Sequence, residues 1–432
     1  MKKNFKLILT VIFVFFILLG FIAFSTYRNN NSDTSNVEVS VWGTINSATF
    51  NDFVREIDQN NQKTLKIKYT QKDLKTLDSE LIEAIASGKA PDTVLLPQEF
   101  IKRYKDKVYL INTKTIPERT FRDTYIQESE IYINPDGIFA IPFFVDPLVM
   151  YWNKDIFTSA GIVNPPSKWS EFPLIAGKIS ESDVNANIVK SLAPLGEYRN
   201  VNNAKALLSS IIMQAGSPIV SINDRGMFLS SLNSKQESEI VNPAVSALRF
   251  YTDYSNPKKT VYSWNRSLPT SKQFFLSGDL ALYFGFASEY KDIAIKNPNL
   301  NFDVAMIPQT INSKAKITFG KLYGFAILKN SPNILASYNL ISYLTGAESV
   351  PTFLKFVGGA PARKDLINLG SKDPVESIFY SSAIISKGWI DPDFDKTNQI
   401  FQSMIEDITT GKLSIENSVQ KASGDLDNLF TQ

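Results

Sequence analysis

Two apolar runs, residues 138–145 and 148–152, meet at Asp146-Pro147 and dominate the hydrophobic pattern of the chain. Each is short, aromatic and β-branched, which predicts a buried strand. A proline disfavours helical geometry in the residue before it, so Asp146-Pro147 predicts a bend or crossing between the two strands. Asn153-Lys154-Asp155 then opens a short helix that stops at Gly161, and Pro165-Pro166 leads to another beginning at Trp169. Upstream, residues 37–43 and 65–69 alternate at period two and predict strands, and residues 91–97 supply a third. Between them Phe50, Phe53, Val54 and Ile57 recur at helical spacing. Residues 77–86 form a second helix, with Gly88 in the C-cap region. Strand and helix in alternation predict a parallel α/β lobe. Ligands in such open sheets lie off the carboxyl ends of strands, which directs attention to Trp42, Pro97 and Gln98. Downstream, 172–179, 204–215, 243–254 and 335–344 predict helices.

The N-terminus has a different pattern. Residues 7–24 are uncharged and apolar, about 18 residues, long enough to span a bilayer core. Lys2, Lys3 and Lys6 outweigh Arg28, which predicts the N-terminus inside and the rest of the chain outside. The expectation is a single-pass signal anchor over 1–28, left uncleaved, with a polar linker over 29–36. A cleaved signal is the alternative.

Composition narrows the chemistry. A chain of 432 residues with 44% apolar and 20% charged residues is globular and too long for one core. Lys and Arg total 45 against 43 Asp and Glu, too balanced for a nucleic-acid binder. The absence of histidine and cysteine removes thiol chemistry, histidine-based triads and the commonest metal ligands. No phosphate loop or metal-ligand cluster occurs in the pattern, so no cofactor and no metal are expected. Asp391-Pro392-Asp393-Phe394-Asp395 lacks the glycine and closing glutamate of a calcium loop and reads as a solvated turn.

Several segments together carry a resemblance. Met150-Tyr151-Trp152-Asn153-Lys154-Asp155-Ile156-Phe157, Ala160-Gly161-Ile162 and Pro165-Pro166-Ser167-Lys168-Trp169-Ser170-Glu171 resemble the hinge crossing of bacterial extracellular solute-binding proteins, the maltose- and oligosaccharide-type receptors of ABC importers. Pro91-Asp92-Thr93-Val94, the segment 274–285, Asp303-Val304-Ala305-Met306, the strand 320–327 and Gly358-Gly359-Ala360-Pro361-Ala362-Arg363 are similar to further segments of that family.

The resemblance implies an α/β fold of two lobes with three hinge crossings. Lobe 1 would comprise 37–145 plus 307–330, and lobe 2 would comprise 146–306 plus 331–432. It implies a monomeric receptor on the outer face of the cell membrane. Such a receptor closes on a small solute, carbohydrate being the commonest class, and delivers it to ABC permease subunits. Two alternatives stay open: a sensory or adhesion ectodomain on the same fold, and a cell-surface carboxylate glycosidase.

Sugar recognition needs flat apolar platforms beside planar polar groups. Trp42 is the first platform candidate, against a packing role. Gln98 ends a strand, and Phe144 and Asp146 lie at the crossing. Asp146 either accepts ligand hydroxyls or caps the bend. Trp264 fits a cleft wall, and Phe286 lies where many sugar receptors carry a tryptophan. Tyr323 belongs to the returning strand. Arg363 matches the family's arginine, which lines the cleft or pins a turn.

Overall fold

A computed structural model describes residues 37–61, 66–185, 187–234, 241–311 and 315–431. At its centre runs one strand of 13 residues, Ile141–Asn153, in which every side chain except Trp152 is buried. The expectation of two strands separated at Asp146-Pro147 is therefore corrected. Pro147 sits opposite Gly320, and the ladder bond at this level comes from the next residue, Leu148 N–H to the Phe319 carbonyl at 2.8 Å. The missing proline donor is thus not needed there.

This hinge strand belongs to both lobes. Its first half pairs antiparallel with the return strand Gly320–Ile327. That strand pairs in turn with Thr93–Pro97, followed by the parallel strands Val39–Gly43 and Ile67–Gln71. The second half pairs antiparallel with Leu282–Phe286 on one edge and Phe302–Met306 on the other. Partners of the return strand step from Phe144 at Tyr323 to Pro142 at Gly324, leaving Phe143 as an extra bulged residue.

Helices cover the sheet where the pattern required. Phe50, Phe53 and Ile57 put one face of Ser47–Asn61 into the lobe 1 core. Asn153 caps Lys154–Ser159 by accepting from the Asp155 and Ile156 amides, and Gly161, with φ of 68°, terminates the turn that follows. In lobe 2 the helices Ala204–Ala215 and Pro243–Asp253 pack together, joined by Phe394–Thr409 and Ile415–Thr431.

The lobe boundary expected at residue 331 lies further along the chain. Ser331 Oγ and Asn333 Nδ2 donate to Asp92 of lobe 1 at 2.6 and 3.1 Å. The helix Ile334–Leu344 packs on lobe 1 strands, and Val350–Val357 packs on Ser47–Asn61. Phe353 drives this docking, with its ring 5.1 Å from Phe53 and 4.3 Å from Phe143. Ala360–Pro361 still pairs with the lobe 1 half of the hinge strand, so the final crossing follows it. The expected anchor over 1–28 lies outside the described residues. Among the described residues no helix is long and apolar enough to cross a membrane.

Phe353 is fully buried among Phe53, Phe143 and Phe144. Phe353→Ala is expected to destabilise the protein by about 3–5 kcal/mol in equilibrium denaturation, because the cavity lies between three rings that cannot collapse into it. A loss below about 1 kcal/mol would mean that this helix is not part of the lobe 1 core.

Candidate functional site: the cleft between the lobes

A cavity of about 650 Å³ opens where the lobes face each other. Lobe 1 contributes Glu99 and Lys321, and lobe 2 contributes Tyr198, Asn203, Lys205 and Phe286. Trp389, Asp391, Phe394 and Asn398, beyond the last crossing, complete the wall.

Glu99 stands in the short 3₁₀ turn Gln98–Phe100, directly off the carboxyl end of Thr93–Pro97. It is only 8% exposed, and its Oε2 has no hydrogen-bond partner among the described residues. Burial pushes its carboxyl above the usual range, and the charge of Lys321 opposes that rise. The Lys321 ammonium lies 4.5 Å from the centroid of the Phe286 ring, a cation–π contact at the cavity surface. Lys205 is tied down by Asp391 and by Thr397 Oγ1 at 2.6 Å, and lies over the Phe394 ring at 4.3 Å. Trp389 is fixed by its Nε1–H to Ser209 Oγ at 3.1 Å and by parallel stacking on Phe401. The Tyr198 hydroxyl donates to Asn398 Oδ1 at 2.6 Å. The wall thus combines aromatic surface with a carboxyl oxygen that has no donor, Glu99 Oε2, and with fixed cations. It can take up a ligand rich in hydroxyl groups.

Trp389 also walls a second cavity of about 610 Å³, lined by Glu128, Ile131, Val220, Ile222 and Ser386. Glu128 is buried, and neither carboxyl oxygen has a hydrogen-bond partner among the described residues. Burial, with the charge of Glu99 added, pushes this carboxyl up to about 8. Gln98 and Ser386 lie beside it and moderate the rise without placing a donor in bonding geometry. A Cβ at Gly320 would stand 2.4 Å from Glu128 Oε2 and 2.8 Å from Ser386 Cβ, so any larger residue would have to displace both side chains.

Of the residues expected from the sequence, Phe286 lines the first cavity. Gln98 is next to the wall but turned inward, donating from Nε2 to the Gly320 carbonyl at 2.7 Å. Tyr323 stacks on Phe144 with ring centroids 4.5 Å apart, and Phe144 is buried in the sheet. Asp146 is buried and accepts from Ser288. Trp42 is half-buried on the first strand, with the Lys72 ammonium 3.8 Å from its ring. Arg363 is clamped to the Asp365 carboxylate through Nε and Nη2. The expectation for Trp264 is corrected: it has zero exposure, donates to Asn200 Oδ1 and packs edge-on to Phe274, so it is core.

The solvated-turn reading of 391–395 is corrected as well. Asp391 is 3% exposed and holds Lys205 and Thr397, while Asp393 caps Phe394–Thr409 by accepting from the Lys396 amide. An acidic residue just before an amphipathic helix was the available signal for that cap. Glu99 adjoined a flagged position, whereas Lys205, Lys321 and Trp389 had no local signal. No group of three or more acidic residues placed to hold a metal occurs among the described residues.

The Glu128 carboxyl makes stability fall with rising pH. Its neutral form is the one that folding accommodates, so its contribution is complete below about 4.5 and is lost as pH rises through about 8. Asp146, raised to about 6, acts in the same direction. Glu128→Gln is expected to raise Tm at pH 8 and to flatten the decline between pH 5 and 8. A melting profile identical to that of the parent would contradict the assignment.

The sequence profile of bacterial extracellular solute-binding proteins matches residues 45–351. A binding protein of Brucella suis biovar 1 is 21% identical over 261 residues, covering 57% of this chain and 55% of that protein, so the match spans about half the length of this relative. The maltodextrin-binding protein MdxE of Bacillus subtilis is 22% identical over 443 residues, covering 98% of this chain and 96% of that protein. The crystal structure of the cyclic alpha-maltosyl-1,6-maltose binding protein of Arthrobacter globiformis superposes with a TM-score of 0.74 at 16% identity, over 91% of this chain and 99% of that one. With the profile covering more than half of its length, this two-lobed chain belongs to the bacterial extracellular solute-binding protein family.

Proposed function

We propose that the chain is a receptor that takes an oligosaccharide into the cleft between its lobes and delivers it to an ABC permease. In this reading residues 1–28 tether it to the outer face of the cell membrane. The observation that carries the reading is the pairing of aromatic surface, Phe286 and Trp389, with Glu99, Lys321 and the Lys205–Asp391 pair around one cavity. A pyranose presents an apolar face and a rim of hydroxyls, and this wall matches both. Its volume, about 650 Å³, falls within the range of small-ligand sites. Relatives described as binding maltodextrin and a cyclic maltosyl maltose support the same class. The family is one of solute receptors, so the glycosidase alternative falls away.

Thermal melting of residues 37–432 against maltose, maltotriose, maltotetraose and cyclic glucans tests this. A saturating ligand is expected to raise Tm by several degrees. Phe286→Ala is expected to weaken that ligand about tenfold, the equivalent of ~1.4 kcal/mol for one lost aromatic face. No shift with any glycan would overturn the carbohydrate assignment.

A further inference from the structure

We infer that Asp146 is a positioning residue for the ligand-facing wall, acting through Ser288 and Lys321, and that its ionisation sets ligand affinity. Asp146 does not line the cavity and is 5% exposed. Its Oδ1 accepts from the Ser288 amide at 2.9 Å and its Oδ2 from the Ser288 hydroxyl at 2.6 Å. Ser288 stands two residues beyond Phe286, where the strand Leu282–Phe286 turns into a 3₁₀ helix. The clamp therefore fixes where the Phe286 ring leaves the sheet. Across the ladder Asp146 is paired with Lys321, and Lys321 carries its ammonium over that same ring. One buried carboxylate thus controls two groups of the cavity wall, one by hydrogen bonds and one by charge.

The remaining titratable groups around it are accounted for. Glu289 follows Ser288 and its charge opposes ionisation of Asp146, but it is bonded to Lys272 at 2.6 Å and to the Tyr283 hydroxyl at 2.8 Å. Tyr151 and Tyr323 keep their protons, because burial and the neighbouring carboxylates push their hydroxyls up. Burial pushes the Asp146 carboxyl up to about 6, against the hydrogen bonds of Ser288 and the charge of Lys321. Protonation removes one acceptor from Ser288 and the negative charge facing Lys321, so affinity falls as pH drops below that value.

The ligand arm of the test rests on the carbohydrate reading, and a second arm does not. In calorimetric titrations of the full chain with maltotriose, affinity is expected to weaken several-fold from pH 7 to pH 5. Asp146→Asn, which keeps the shape and loses the charge, is expected to show the weak value throughout, and Ser288→Ala to share the deficit at pH 7. In infrared difference spectra without ligand, the protonated-carboxyl band absent from Asp146→Asn is expected to titrate near pH 6 and to move upward in Lys321→Met. Retention of the parent pH profile by Asp146→Asn, or a band that Lys321→Met does not move, would overturn the inference. Absence of maltotriose binding at every pH would count against the carbohydrate reading, and the infrared arm would still decide the role of Asp146.

Discussion

A buried strand must find backbone partners on both edges, and the hinge strand finds them along the middle of each of its halves. Its lobe 1 half lies between the return strand and Ala360–Pro361, and its lobe 2 half lies between Leu282–Phe286 and Phe302–Met306. Opposite Asp146-Pro147, as opposite Ile141–Phe143, the edge away from the return strand carries no strand among the described residues. Proline brings no donor to that gap, and the Asp146 carboxylate fills it by taking the Ser288 amide. The ladder is therefore one-sided where the lobes join. A fold that has to bend at one place without unfolding requires that arrangement.

The same junction concentrates charge. Glu99, Glu128 and Asp146 are all buried near the crossing, and burial raises all three carboxyls. Lys321 holds down two of them, Glu99 and Asp146, from its place on the return strand. Lys205 is already committed to Asp391. Glu99 lines the first cavity and Glu128 the second, so each favours an occupant that donates hydrogen bonds, and the raised carboxyls tie stability to pH. Aromatic packing supplies rigidity around the junction: Trp389 stacks on Phe401 at the cavity wall, and Tyr323 stacks on Phe144 beside the crossing.

Much of the fold could be read from local pattern. Periodicity predicted Leu77–Ala86, Phe172–Ile179 and Ala204–Ala215 with their observed bounds; the first two bury one apolar face and the third is buried nearly all round. Asp146-Pro147 was read as a break because proline chemistry is local, whereas the ladder that tolerates it comes from residues 319–320, far away in sequence. The two helices Ile334–Leu344 and Val350–Val357 were assigned to lobe 2 for a related reason. Their amphipathic pattern says which face is buried but not against which core. The cleft was harder still. Phe286 was found by resemblance, while Lys205, Lys321 and Trp389 acquire meaning only when three crossings bring them together. Trp264 shows the converse, an aromatic that resembles a platform until its neighbours bury it.

Closure of the two lobes on a solute follows from the proposed function, and the chain's lack of native cysteine makes a direct test possible. Gln127 of lobe 1 and Ile222 of lobe 2 both line the second cavity and are both exposed. With Gln127→Cys and Ile222→Cys carrying spin labels, the distance between them can be measured by pulsed electron resonance with and without a glycan that raises Tm. A shorter and narrower distance distribution is expected when the glycan is bound. An unchanged distribution at saturating glycan would contradict it.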